Sequence, residues 1–155
     1  MKHRWMPTAI LSLIFAYSLS AQIIDTPMIG VGINHGGAET KAIMEYTLAG
    51  QLSKKISLNV RYGTNYSSLF KFGGGIAYTP FELGRLYPSI GFEIHYNNEL
   101  FASSERRFQY HSYQIPLMIN YDASDHLRFD LGIIGRTAKY GSDNPFFRLS
   151  AYYKF

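Results

Sequence analysis

The chain has 155 residues, of which 46% are hydrophobic and 16% aromatic, with a formal net charge of +4 and no cysteine. That length holds one domain, and the lack of thiols excludes disulfides, thiol catalysis and thiolate metal sites. Thirteen Tyr, eleven Phe and fourteen Gly favour strands and tight turns, while a mean hydropathy of -0.10 excludes a bundle of membrane helices.

Residues 1–21 read as a cleavable signal peptide, leaving 22–155 as the folded domain. Lys2, His3 and Arg4 form a basic start, "AILSLIFAYSL" is a short apolar run, and Ser18 to Ala21 supply small residues for cleavage before Gln22. Removing Lys2 and Arg4 leaves 15 − 2 = 13 basic against 11 acidic side chains, a net charge of +2. No basic cluster then remains beyond Arg106-Arg107, so nucleic acid is not an expected partner.

From residue 28 onward the dominant period is two, the period of a strand. In "MIGVGIN", Ile29, Val31 and Ile33 alternate with Gly30, Gly32 and Asn34. "MEYTLAGQL" (44–52) sets Met44, Tyr46 and Leu48 against Glu45, Thr47 and Ala49. "ISLNVRYGTNY" (56–66) continues with Leu58, Val60, Tyr62, Thr64 and Tyr66 against Asn59, Arg61 and Gly63. "FKFGGGIAYT" (70–79) opposes Phe70, Phe72 and Ile76 to Lys71, Gly73 and Gly75. "LYPSIGFEIHYN" (86–97) opposes Ile90, Phe92 and Ile94 to Gly91, Glu93 and His95. "YQIPLMINY" (113–121) alternates Ile115, Leu117 and Ile119 with Pro116, Met118 and Asn120. "LRFDLGIIGRTAK" (127–139) alternates Phe129, Leu131 and Ile133 with Arg128, Asp130 and Gly132; Ile134 is an exception and Arg136 resumes the polar side. "FFRLSAYYKF" closes the chain with Phe147, Leu149, Ala151, Tyr153 and Phe155 against Arg148, Ser150, Tyr152 and Lys154. No segment carries a helical period over a dozen residues.

Four features turn the apolar faces outward, toward lipid. The polar faces mix glycine with long charged side chains, as a narrow lumen requires, whereas glycine on a solvated strand only weakens the sheet. Tyr62, Tyr66, Tyr96, Tyr113, Tyr121, Tyr153 and Phe155 bracket the apolar faces, like interfacial girdles. Compact connections ("SKK", "PFELGR", "DASD") alternate with longer ones ("HGGAET", "NELFASSERRFQYH", "YGSDNP"), with "SSL" a short exception. Each strand is near the roughly 9–11 residues that cross a bilayer at a tilt. Because hydrocarbon offers no partner to an open edge, such a sheet must close. The expectation is an all-β, eight-stranded antiparallel up-and-down transmembrane β-barrel with both termini on the short-turn rim.

The ending "RLSAYYKF" resembles the C-terminal assembly signal of Gram-negative outer-membrane barrels through Arg148, Ser150 (where glycine is usual), Tyr153 and Phe155. "SYQIPLMINYD" (112–122) and the "AQ" after the signal resemble small outer-membrane barrels of the Bacteroidota, and the architecture is similar to the OmpA- and OmpX-like class. The resemblance implies an outer-membrane location, contact with outer-membrane lipid and lipopolysaccharide, and handling by the barrel-assembly machinery through strand addition. A monomer is expected.

The lumen candidates are Glu45, Arg61, Lys71, Glu93, His95, Arg128, Asp130, Arg136 and Arg148. They read as a self-neutralising polar plug, because eight strands enclose roughly enough space for side chains alone; a proton or ion path is the functional alternative. His111 and Ser112 are the only candidates for a lipid A-modifying enzyme, but strand neighbours point to opposite faces. No histidine pair has metal-ligand spacing, "FGGGI" lacks the Lys-Ser/Thr of a phosphate loop, and no cofactor site is expected. The long connection at about 97–111 is the candidate contact surface, where Arg106 and Arg107 suit lipopolysaccharide phosphates. The expected function is non-enzymatic: membrane integrity, adhesion or surface interaction. The alternatives are a lipid A-modifying enzyme and a soluble periplasmic lipocalin-like binder of an apolar ligand.

Overall fold

The computed structural model describes residues 25–36, 39–66, 68–101, 106–138 and 144–155; the expected signal peptide and its cleavage site lie outside them. Eight strands follow in order: β1 (Asp25–Gly36), β2 (Glu39–Ser53), β3 (Ile56–Thr64), β4 (Leu69–Tyr78), β5 (Leu86–Phe101), β6 (Arg106–Asp122), β7 (Leu127–Ala138) and β8 (Phe146–Lys154). Each pairs antiparallel with its neighbours in sequence, and β8 pairs with β1 to close a barrel.

The register determines the tilt. From Val31, cross-strand partners run one way through Tyr46, Tyr62, Phe72 and Tyr96 to His111. The other way they run through Ala151 and Phe129 to Tyr121. Both routes end on β6, 121 − 111 = 10 residues apart. A stagger of ten residues over eight strands, at ~3.3 Å per residue and ~4.7 Å between strands, inclines the strands by about 40°.

Side chains alternate as the period of two requires, but the usual inside and outside are exchanged. Ile119 and Leu131 are 55% exposed, whereas Glu45, Glu93, His95 and Arg148 are 0% exposed. The soluble-binder alternative needs the apolar faces inside, and they face out. On β6 the outward Tyr113 and Tyr121 bracket Ile115, Leu117 and Ile119. Eight residues at that tilt span a band about 20 Å high, near the apolar height of an outer-membrane barrel.

Close packing of the strands explains one glycine plainly. A Cβ at Gly75 would run into the Phe92 carbonyl oxygen and Cα of Glu93, both backbone atoms that have no freedom to move aside.

Three expectations are corrected. First, strands are not uniformly 9–11 residues: β2 has 15, β5 has 16 and β6 has 17. The 97–111 loop is therefore largely a strand pair, with Leu100 opposite Arg107 and Phe101 opposite Arg106, and only 102–105 outside it. Second, connection lengths do not alternate between the rims. The rim bearing both termini carries 54–55, 79–85 and 123–126; the other carries 37–38, 65–68, 102–105 and 139–145. What distinguishes the second rim is the height of the β5–β6 hairpin. Third, β3 ends at Thr64 rather than Tyr66. The Asn65 side-chain oxygen accepts from the Ser68 and Leu69 amides, both at 2.8 Å, and Tyr66 takes a positive φ of 61°. A side chain satisfying those amides competes with the ladder and ends the strand.

Candidate functional site

All nine lumen candidates face inward, in three groups at different heights. The central group joins Glu45 (β2), Arg61 (β3), Lys71 (β4), Glu93 and His95 (β5) and Arg148 (β8). Arg148 donates from Nη1 and Nη2 to the two oxygens of Glu93, each at 3.0 Å, and from Nε to Asn34 Oδ1 at 3.2 Å. Arg61 donates from Nε to Glu93 Oε1 at 2.9 Å and from Nη1 to Thr47 at 2.9 Å. His95 Nε2 sits 3.0 Å from Glu93 Oε2. Two guanidiniums and an imidazole therefore converge on one carboxylate, the charge-assisted geometry that satisfies a buried acid most fully.

Glu45 is held by charge more than by aligned hydrogen bonds. Its carboxylate pairs with Lys71 Nζ, lies 3.0 Å from Arg148 Nε and 3.7 Å from Arg61 Nη1. Lys71 reaches it by crossing Gly63, where a Cβ would collide with the lysine's own methylenes, and its ammonium lies 5.6 Å over the Phe146 ring. Glycine beside a long cation makes the room that the cation fills.

The second group lies toward the rim that carries the termini. Arg128 grips Asp130 through Nε at 2.5 Å and Nη2 at 2.9 Å, donates to Asn120 at 2.5 Å, and lies between the rings of Tyr87 and Tyr152. The third group lies toward the opposite rim, where Tyr110 donates to Glu99 at 2.5 Å and accepts from Arg136 Nη2 at 2.7 Å.

Sequence reasoning missed Glu99 and Tyr110, which it left in a loop. The signal was available: Glu99 continues the inward series Glu93, His95, Asn97. It set Met118 on the inner face and left Ile134 as an exception, but did not bring them together with Phe146, and the three form a buried apolar cluster inside the lumen. Ile134, the exception to the alternation, is 0% exposed and points inward.

His111 and Ser112 do not meet. His111 faces out against Tyr96, ring centroids 5.9 Å apart, while Ser112 is buried and accepts from Asn97 Nδ2 at 2.9 Å. Ser112 does stand opposite His95 in the ladder. Both are 0% exposed, and His95 turns Nε2 toward Glu93, so a substrate would have no access to them. In the C-terminal segment, Arg148 and Ser150 face the lumen while Tyr153 and Phe155 face out. Arg106 and Arg107 are exposed on β6 rather than on a loop.

The described residues form a closed eight-stranded antiparallel barrel with an apolar outer wall and an ion-paired interior. Among solved structures, the chain is similar to the N-terminal β-barrel domain of OprF from Pseudomonas aeruginosa, with a TM-score of 0.67 at 14% identity over 85% of this chain and 98% of that one. It is also similar to a de novo designed transmembrane β-barrel (TM-score 0.59, 19% identity, 84% and 95% covered) and to Neisserial surface protein A (TM-score 0.50, 10% identity, 83% and 93% covered). At these identities the likeness is one of fold. No family model and no curated protein sequence matches the chain.

Proposed function

We propose that this chain is an integral outer-membrane protein, exported by a signal peptide spanning residues 1–21 and closed to bulk solute flow. The observation that carries the reading is the exchange of inside and outside: aliphatic and aromatic side chains cover the outer wall while carboxylates and guanidiniums are buried within. Water would drive this distribution the other way, and hydrocarbon favours it. Protein taken from isolated outer membranes should migrate differently on gels when boiled and unboiled, and in planar bilayers it should show no large steady conductance. Recovery in a detergent-free periplasmic fraction, or porin-sized current steps, would overturn the respective half of the reading.

The role is non-enzymatic: membrane integrity, adhesion or surface interaction through the tall β5–β6 hairpin. The fold supports this because Ser112 is sealed inside and His111 faces away from it. Arg106 and Arg107 stand exposed near the tip of that hairpin, where paired guanidiniums match the phosphates of lipopolysaccharide. Exchanging both for alanine should weaken lipopolysaccharide binding, by about 1 kcal/mol for two exposed charge contacts. Unchanged binding and unchanged membrane integrity in that variant would leave the hairpin without this role. Assembly would proceed through the last strand, with Arg148, Ser150, Tyr153 and Phe155 as the recognised residues.

A further inference from the structure

The connections on the rim that carries the termini differ in chemistry. One is Lys54-Lys55 and another runs through Ser124, Asp125 and His126. The third, 79–85, instead presents Phe81 and Leu83, which are 55% and 67% exposed. The backbone holds Leu83 on the outer face. Leu83 N donates to Leu86 O at 2.8 Å and Leu86 N returns to Leu83 O at 3.2 Å, across a two-residue turn in which Gly84 takes a φ of 65°. A positive φ at the first central position is what a II′ turn demands, and glycine meets it without strain. Residues paired across an antiparallel bridge share a face, and Leu86 stands in the outward series of β5, next to buried Tyr87.

Leu86 is opposite Tyr121 in the ladder, so Leu83, Leu86 and Tyr121 form one outward row. The row that climbs from β2 to β6 falls in the reverse direction, by ~3 Å per strand at a tilt of about 40°. Leu83 therefore lies about 6 Å beyond Tyr121 toward the rim. The turn is also tied on both sides: Thr79 N donates to Lys55 O at 2.9 Å, Asp122 N to Arg85 O at 2.8 Å, and Arg85 Nη1 to Ala123 O at 2.9 Å. A lone exposed apolar residue is ordinary, but Leu83 extends the wall already made by Ile90, Leu86 and Tyr121, and does so on a fixed frame.

We infer that the 79–85 turn is a rigid interfacial anchor: Phe81 and Leu83 insert at the headgroup–acyl boundary of the leaflet nearest the termini, while the 54–55 and 123–126 turns stay in water. The inference rests on the lipid-facing reading of the outer wall. A lipid surface is the partner because the patch is continuous with that wall, and exposed apolar side chains bury at an interface without a shaped pocket. β5 leaves the anchor and rises into the tall β5–β6 hairpin, so the anchor sets how far the hairpin tip stands above the opposite leaflet.

Trp5 is the one tryptophan of the chain, so Trp5→Phe removes the background. On it, single tryptophans are placed by Leu83→Trp, by Lys55→Trp on the neighbouring turn and by Leu117→Trp in the middle of the wall. The full-length variants, verified as folded by unboiled gel migration, are reconstituted in dioleoylphosphatidylcholine vesicles. Part of the lipid is replaced by lipid brominated near the headgroup end or near the methyl end of its acyl chains. Leu83→Trp should emit to the blue of Lys55→Trp and lose about half its emission or more to the shallow bromines, as a ring at the interface does. Leu117→Trp should be quenched most by the deep bromines, and Lys55→Trp by neither. Phe81→Trp should repeat the Leu83→Trp result. Leu83→Trp and Phe81→Trp emitting like Lys55→Trp, with Leu117→Trp quenched, would put the wall in lipid and the turn in water, overturning the anchor and leaving the patch to a protein partner. Equal quenching of Lys55→Trp and Leu83→Trp would bury the whole rim and remove the distinction among its turns. Absence of quenching at Leu117→Trp as well would overturn the membrane reading, and the anchor with it.

Discussion

Glu93→Ala is expected to destabilise the barrel by about 3–5 kcal/mol, the usual consequence of removing one partner from a buried charge network. The carboxylate is the meeting point of Arg61 Nε at 2.9 Å, Arg148 Nη1 and Nη2 at 3.0 Å and His95 Nε2 at 3.0 Å. Alanine removes the acceptor that the two guanidiniums share and leaves Glu45, 3.0 Å from Arg148 Nε and 3.7 Å from Arg61 Nη1, as the acid against both. The measurement is a urea titration of the variant in micelles, read as the fraction of the folded, unboiled gel band. Asp122→Asn gives the scale for a weak pair. Asp122 faces Lys154 at 2.9 Å at the rim, with side-chain exposures of 29% and 13%, and its loss should cost about 0–1 kcal/mol. Pairing Glu93→Ala with Arg148→Met should cost less than the two single changes added, because the second removes a charge that the first had orphaned. If Glu93→Ala and Asp122→Asn proved equally mild, the central belt would be a filling of the lumen and not what stabilises it.

How legible this was in the sequence differs between the faces, the ends and the pairings. The faces were plain because the alternation is unbroken where the outer wall is apolar, as from Tyr113 to Tyr121. The upper ends of β5 and β6 were not. There the outward residues are Asn98, Leu100, Arg107 and Gln109, so hydropathy stops alternating although the ladder continues through Phe101 and Arg106. A strand that rises past the apolar band loses the contrast by which it is recognised. The partners of each charge were also beyond reach. Alternation puts Glu45, Arg61, Glu93 and Arg148 on the inner face, but which of them share a height depends on the ten-residue stagger, and that is a property of closure. The inner apolar cluster has the same origin: Met118, Ile134 and Phe146 look like breaks in pattern until the register brings them together.

Leu117→Arg is the substitution that most sharply separates a lipid-facing wall from a wetted one. Leu117 is 54% exposed and lies midway between Tyr113 and Tyr121 on β6. On a water-facing surface, exchanging an exposed leucine for arginine changes stability within about 0.5 kcal/mol. At the middle of an apolar band it costs about 2–4 kcal/mol, falling to about 0–1 near the interface. The barrel refolded in lipid vesicles should therefore lose stability strongly with Leu117→Arg and little with Tyr121→Arg, although both side chains are about half exposed. The contrast depends on depth and not on exposure, so it reads the solvent around the wall directly. Equal small effects at both positions would place water against β6 and remove the membrane from the account. A graded effect, largest at Leu117, would also locate the centre of the bilayer on the strand. Arg61, Glu93 and Arg148 would then lie inside hydrocarbon height, where their charges are met by one another and by Glu45, His95, Thr47 and Asn34.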